Sequence, residues 1–150
     1  NGREVDSPNY GHKLKWLGRL RQFLDDHCDP KAPLVLCGDF NIVPEDKDVY
    51  DPNRWREKNL CSTPEREALT NILNWGLRDS LRVYNQDAEV YSWWDYRQGM
   101  FGRNQGLRID HLLVTRPVVS GLNAVEVHVD LRRLEKPSDH TPVVLDFEPL

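Results

Sequence analysis

The chain has 150 residues, which suits a single domain, and its 39% hydrophobic content is ordinary for a soluble globular protein. The formal net charge of −4 argues against broad electrostatic binding of nucleic acid, although it leaves room for a local basic patch. Apolar runs fall short of a membrane span and a secretory leader is lacking, so we expect a cytoplasmic protein without membrane contact. Cys28, Cys37 and Cys61 lack metal-ligand spacing and are typical of free thiols, with Cys37 expected to be buried.

The first half of the chain predicts two helices around one strand. Leucines at helical spacing predict the first helix, and a hydroxyl residue followed by Pro and Glu predicts the start of the second. Between them, an apolar run bounded by Pro33 and Gly38 predicts a buried strand, and a polar loop follows with at most one helical turn. The predicted elements are a helix over 12–27, a strand at 34–37, a loop over 44–58 and a helix from 62 to the stop at 76.

The second half predicts mostly strands. Residues 77–84 predict a short helix or an irregular turn, and residues 97–104 predict a glycine-containing loop. Strands are predicted at 90–94, 107–114, 124–129 and 141–147. The order of elements predicts a layered α/β domain with a mixed β-sheet and flanking helices.

Polar side chains follow the first predicted strand. Asp39 and Asn41 lie two residues apart, so an extended backbone places them on the same side. The carboxylate can accept a proton, and the amide can donate hydrogen bonds to developing negative charge. An Asx-type turn at the strand end is an equally good interpretation of this pair alone.

Two further polar groups lie at predicted strand ends, Asp110 in one and Asp139 with His140 in the other. Taken singly, Asp110 suits an edge-strand carboxylate, Asp139 suits a turn cap, and His140 suits a partly buried imidazole. Together with Asp39 and Asn41 they supply the parts for metal-assisted phosphodiester hydrolysis, namely a base, an amide donor, an oriented imidazole and a carboxylate for a divalent cation.

Four segments resemble the exonuclease III branch of the endonuclease/exonuclease/phosphatase superfamily. They occur in the family's order and span nearly the whole chain. The segment around Trp93 and the one ending at Asp110 are the more specific to apurinic/apyrimidinic endonucleases. The segments are Gly38-Asp39-Phe40-Asn41-Ile42, Tyr91-Ser92-Trp93-Trp94-Asp95-Tyr96-Arg97, Asn104-Gln105-Gly106-Leu107-Arg108-Ile109-Asp110 and Pro137-Ser138-Asp139-His140-Thr141-Pro142.

The resemblance implies a role for each residue of the expected site. Asp39 would orient or deprotonate the attacking water, and Asn41 would bind the scissile phosphate or the nucleophile. Asp110 would hold the imidazole of His140, which would contact a phosphate oxygen. Asp139 would lie close to the metal, expected to be one or two ions of Mg²⁺ or Mn²⁺.

The resemblance also implies contacts with duplex DNA that carries an abasic site or a 3′ end. Trp93 would wall the pocket for a base-less sugar flipped out of the duplex. Arg97, Arg103 and Arg108 would contact the DNA backbone or support residues that do. For Arg103, a solvated basic loop is an equally good interpretation.

Residues 1–150 resemble only the carboxy-terminal half of the family's four-layer α/β sandwich. The metal-binding Glu and the Tyr of the family's amino-terminal half have no counterpart here, so we expect this chain alone to be inactive. We expect it to pair with that half, or with a second copy, through an exposed sheet face. Candidate residues for that face are Val35, Ile109, Leu113, Val127, Val143 and Leu145.

The intact protein is therefore expected to be a DNA-repair nuclease that cleaves 5′ to abasic sites and acts as a 3′–5′ exonuclease. One alternative is an inactive binding or assembly module of the same fold. Another is a superfamily phosphodiesterase acting on RNA or on a phospholipid or inositol phosphate head group. The Trp93-Trp94 pair and the motif at 104–110 argue against the latter.

Overall fold

A computed structural model describes residues 1–148. The helices of this part are α1 (Pro8–His27), α2 (Pro52–Trp55), α3 (Thr63–Leu73), α4 (Ser80–Tyr84) and α5 (Arg116–Ser120), and the strands are β1 (Val35–Asp39), β2 (Leu77–Asp79), β3 (Asp110–Thr115), β4 (Leu122–Val127) and β5 (Val143–Phe147). Within residues 1–148, no helix is both long enough and apolar enough to cross a membrane.

Helix α1 begins four residues before the predicted start. The Ser7 hydroxyl accepts a hydrogen bond from the Tyr10 amide, and Pro8 occupies the first turn, where its missing N–H is not needed. Helix α3 begins with a capping box in which Ser62 and Glu65 bond each other's backbone amides. Both starts follow from local side-chain chemistry.

The central sheet has three strands in the order β1-β3-β2, and both pairings are antiparallel. Helices α1 and α3 cover one face of it, where Leu17, Leu24, Ile72 and Leu113 are buried in a common core. Strand β1 pairs with β3 so that Asp39 lies directly opposite Asp110. The register thus joins two carboxylates that are far apart in sequence.

Strands β4 and β5 form a separate antiparallel pair, with Val127 opposite Val143. The α/β class with flanking helices is confirmed, but the expected mixed sheet is instead two antiparallel sheets in the described residues. The direction in which strands pair depends on connections between elements, which local patterns do not reveal.

Two predictions from local composition were wrong. Residues 90–94 form no extended strand, and Trp93 makes only isolated bridges to Leu107 and His140. Cys37 is exposed because it lies on the face of β1 that points away from the helices. An apolar run alone does not show that a strand is buried, because burial also requires a layer of structure on each face of the strand.

Candidate active site

Asp39, Asp110 and His140 converge at one end of the central sheet. His140 Nδ1 lies 2.8 Å from Asp110 Oδ2, a normal hydrogen-bond distance and one predicted from the strand-end placement. On the other side of the ring, His140 Nε2 lies 3.8 Å from Asp39 Oδ2. This separation is too long for a direct hydrogen bond and leaves space for a bridging oxygen of water or phosphate.

The site favours a protonated imidazole between two carboxylates. The hydrogen bond to Asp110 raises the pKa of His140, even though partial burial opposes the charge. Burial also raises the pKa of Asp39, against the hydrogen bond from the Asn41 amide, which lowers it. A carboxylate with a raised pKa is a better proton acceptor, so this environment suits Asp39 to act as a base.

Asn41 follows Asp39 in a left-handed backbone conformation, with φ 51°, which Asn tolerates better than most residues. The backbone amide of Asn41 donates to Asp39 Oδ1 at 2.8 Å, which leaves Asp39 Oδ2 to face His140. A cavity of about 290 Å³ adjoins this turn and is lined by Asp39, Asn41 and Trp16 among others. Asp39 and Asn41 therefore border the same open space.

Ser92 fixes the two segments that carry Asp110 and His140, and sequence analysis gave it no role. Its buried hydroxyl accepts from the amides of Ile109 and Asp110 at 3.0 and 3.1 Å, and its carbonyl accepts from the Thr141 amide. A small polar residue within an otherwise apolar and aromatic run was the available signal for this role.

Asp139 does not join this cluster. Its Oδ2 accepts a hydrogen bond from Trp93 Nε1 at 2.9 Å, and the described acidic and imidazole groups that lie close enough to share an ion are Asp39, Asp110 and His140. The contact joins the Trp93 side chain to the residue that precedes His140. That Asp139 lies close to the metal stays a prediction, and the carboxylates close enough to share an ion in the described residues are those of Asp39 and Asp110.

Arg108 was expected to contact the DNA backbone or to support residues that do, and its burial leaves only the second possibility. Its side chain is 1% exposed, and it donates to Asp48 at 2.7 and 3.2 Å and to Asp79 at 2.7 Å. Arg82 pairs with the same Asp48. Burial alone would raise the pKa of Asp48, but the two guanidinium groups lower it. The guanidinium of Arg108 is thus a core ion-pair partner and cannot reach a DNA phosphate.

Arg97 and Arg103 remain on the surface. Arg97 pairs with Asp95, and its side chain is still 84% exposed. Arg103 is exposed and donates to the Gln98 carbonyl at 2.7 Å. Both are accessible to a polyanion, and neither contacts the acid–imidazole cluster in the hydrogen bonds and ion pairs of residues 1–148.

The donor set suits a divalent cation. One ligand atom each from Asp39, Asp110 and His140 lies within 4.8 Å of the others. Carboxylates are the protein ligands that Mg²⁺ uses most, usually one or two with water and substrate phosphate, and they also suit Mn²⁺. Asp39 and Asp110 therefore fit either ion as a partial ligand set, whereas the protonated ring of His140 has no lone pair to offer a metal.

A layered α/β fold with an acid–imidazole cluster at strand ends is typical of hydrolytic enzymes. Residues 2–140 match the model of the Endonuclease/Exonuclease/phosphatase family, so the chain belongs to this family. The resemblance to its exonuclease III branch is confirmed by the relatives. Exodeoxyribonuclease III of Haemophilus influenzae is 39% identical over 143 residues, which are 91% of this chain and 54% of that protein.

Solved structures agree in fold. The 3′ phosphatase NExo from Neisseria, bound to a product DNA hairpin, is 45% identical with a TM-score of 0.96. An AP endonuclease from Archaeoglobus fulgidus is 35% identical with a TM-score of 0.93. Each match covers 99% of this chain and 58% of the other. The chain spans about half the length of the curated relatives it matches.

Proposed function

We propose that this chain carries the acid–imidazole part of an exonuclease III-like DNA-repair nuclease. The intact protein cleaves phosphodiester bonds 5′ to abasic sites and removes nucleotides from 3′ ends. The observation that carries the proposal is the Asp39–His140–Asp110 arrangement, with 2.8 Å on one side of the ring and an open 3.8 Å on the other. The names of the relatives, which include an exodeoxyribonuclease III and an AP endonuclease, support it.

Each residue of the cluster has a chemical role in this proposal. Asp39 takes a proton from the attacking water through its free Oδ2. His140, held protonated by Asp110, donates from Nε2 to a phosphoryl oxygen and stabilises its growing charge. The side-chain amide of Asn41, which lines the adjoining cavity, binds the scissile phosphate or the nucleophile. Trp93, fixed by Asp139, borders the position of the base-less sugar.

A divalent ion, Mg²⁺ or Mn²⁺, would be held by the carboxylates of Asp39 and Asp110, while the protonated ring of His140 stays free to donate to the phosphoryl oxygen. When bound it would supply charge stabilisation for the phosphoryl group. Phosphoryl transfer depends strongly on such stabilisation, and Mg²⁺ needs further oxygen ligands from substrate or protein. We propose that a Glu from the family's amino-terminal half completes the ligand set.

DNA is the proposed partner, reached through the exposed Arg97 and Arg103. One experiment distinguishes the proposed DNA-repair nuclease from an inactive module and from a phosphodiesterase that acts on other substrates. The intact protein is assayed with Mg²⁺ on duplexes with and without an abasic site, on single-stranded RNA and on inositol phosphates. Internal incision is expected only beside the abasic site, with removal of 3′ nucleotides from both duplexes, and residues 1–150 alone should give little or none of either.

Two variants connect the activity to the cluster. Asp39→Asn and His140→Gln should each lower incision by at least about 100-fold, because they remove a proton acceptor and a charged donor. Asp146→Asn is the control, since Asp146 is exposed on β5. Robust incision by residues 1–150 alone, or full activity in Asp39→Asn, would contradict this proposal.

A further inference from the structure

The turn that follows β1, residues 39–43, depends on side chains outside the active site. We call these residues the Asp39 turn. Within the turn, the Asn41 amide bonds Asp39, the Phe40 amide bonds the Ile109 carbonyl at 3.0 Å, and the Val43 amide bonds the Leu60 carbonyl at 2.7 Å. These bonds pair the amides of Phe40, Asn41 and Val43 and leave the carbonyls of Asn41 and Ile42 to be satisfied from elsewhere.

Two buried side chains donate to those consecutive carbonyls. Lys13 Nζ, from α1, donates to the Asn41 carbonyl, and His111 Nε2, from β3, lies 2.8 Å from the Ile42 carbonyl. The Ile42 side chain is completely buried. The turn is therefore held from both sides, by the helix layer and by the central strand.

The tautomer of His111 follows from its neighbours. Arg108 Nη1 lies 3.1 Å from His111 Nδ1, and a guanidinium can only donate. Nδ1 must therefore accept, so the proton of the neutral ring is on Nε2, where it points at Ile42. An Nδ1 that accepts from Arg108 and an Nε2–H that is donated to the Ile42 carbonyl use both ring nitrogens of a neutral imidazole.

Both donors are anchored by buried charges. Lys13 pairs with Glu65, whose side chain is fully buried and which also bonds Ser62 at the start of α3. His111 is held by Arg108, which is itself bound to Asp48 and Asp79. Burying charge costs free energy that hydrophobic residues of similar volume would avoid. Both chains of hydrogen bonds end at successive carbonyls of one turn, which supplies a functional reason for burying these charged side chains.

We infer that Lys13 and His111 are positioning residues that hold the Asp39 turn so that Asp39 faces His140. The inference rests on the proposed function only for what that orientation achieves. Neither side chain touches the acid–imidazole cluster, and each acts through a backbone carbonyl. Removing either donor releases one side of the turn, while the helices and strands remain.

The test compares local opening of the turn with global stability. Amide hydrogen exchange is measured by NMR at Phe40, Asn41 and Val43, whose amides are all bonded in the structure. Lys13→Met and His111→Leu remove the donors, whereas Lys13→Arg and His111→Gln retain a donor. Lys13→Met is also made with Glu65→Gln, so that an unpaired buried carboxylate does not prevent folding.

Exchange at these three amides should be at least about tenfold faster in the donor-less variants and close to wild type in the donor-retaining ones. Val118→Ala is the matched control, because Val118 is buried on α5 and lies outside the core cluster that contains Phe40 and Ile42 of the turn. Exchange that rises equally in Val118→Ala at the same loss of global stability would overturn the inference. So would failure of both donor-retaining variants to restore protection.

These measurements need neither metal nor DNA. If the turn responds as expected but the intact protein cleaves no abasic duplex, the proposed function fails and the positioning role stands. If cleavage is found and the turn does not respond, the positioning role fails alone. In the intact enzyme, loss of positioning should lower kcat with KM little changed, because the turn orients the base and does not bind the sugar.

Discussion

At the scale of single residues, the site depends on hydroxyl and indole groups as much as on its charged members. The Ser92 hydroxyl accepts hydrogen bonds from two backbone amides of the segment that contains Asp110. The Ser92 carbonyl accepts one from the segment that contains His140. Trp93 bonds Asp139, one residue before His140. The 2.8 Å contact between His140 and Asp110 is thus set by backbone bonds made at a neighbouring residue that has no part in the chemistry.

Ser92→Ala should lower the free energy of unfolding by about 1–3 kcal/mol, because it leaves two buried amides without an acceptor. Urea unfolding followed by circular dichroism measures this change. Ser120→Ala is the control, since Ser120 is exposed on α5 and bonds only Arg116 of its own helix. A loss for Ser92→Ala no larger than that of Ser120→Ala would show that the two amides find other partners.

The cysteines should differ strongly in reactivity. Cys37 is exposed, whereas Cys61 is buried and burial raises its pKa to about 12. Since the thiolate is the nucleophile, iodoacetamide at neutral pH should modify Cys37 rapidly and Cys61 only on unfolding. Mass spectrometry of the labelled peptides gives both rates. Rapid labelling that persists in Cys37→Ser and maps to Cys61 would contradict this expectation.

At the scale of elements, one ion-pair cluster connects β2 and α4 to the segments that precede α2 and β3. Arg108 and Arg82 share Asp48, and Arg108 also binds Asp79. Asp48 is completely buried, so the cluster lies inside the molecule. The ion pairs join segments that lie 29 to 60 residues apart in sequence.

Arg108→Met should lower the free energy of unfolding by about 3–5 kcal/mol, because it leaves buried carboxylates uncompensated. Asp48→Asn should lower the free energy of unfolding by a similar amount. The loss in the double variant should be much smaller than the sum of the two single losses. Chemical denaturation of the four proteins measures the coupling. Arg116→Met, at an exposed arginine, should change stability by less than about 0.5 kcal/mol. Strict additivity would mean that the two groups do not act together.

Local signals predicted some elements well and others poorly. The starts of α1 and α3 depend on caps that are close in sequence, so the pattern around Ser62 located α3. For Arg108 the resemblance left two possibilities open, a contact with the DNA backbone or support of residues that make one. Local sequence could not choose between them, because its partners Asp48 and Asp79 lie 60 and 29 residues away. The same limit applies to His111, whose role depends on a carbonyl 69 residues distant. Motifs identified Asp39, Asp110 and His140, whereas the groups that hold these side chains in place could be identified only from the three-dimensional structure.

At the scale of the whole molecule, one face of the central sheet lacks a complete cover. Val35, Cys37 and Leu112 lie on the face that carries Asp39 and Asp110, and each is exposed or half-buried. Ile109 and Leu113, which were expected on an open face, are instead buried within the chain at 2% and 1% exposure. Val127, Val143 and Leu145 are half-buried. The open apolar surface is therefore smaller than expected from the sequence.

We propose that residues 1–150 associate through this face, either with the family's amino-terminal half or with a second copy. Full burial of three such side chains would contribute at most about 4.5–9 kcal/mol, the range of millimolar to micromolar complexes. Sedimentation velocity should therefore show reversible self-association at about tens of micromolar. Val35→Lys should weaken it, whereas Val83→Lys, at an exposed position of α4, should not. Added amino-terminal half should displace the second copy, because the same face would then be covered. A monomer at all these concentrations, unchanged by Val35→Lys and by the added half, would show that this face needs no partner.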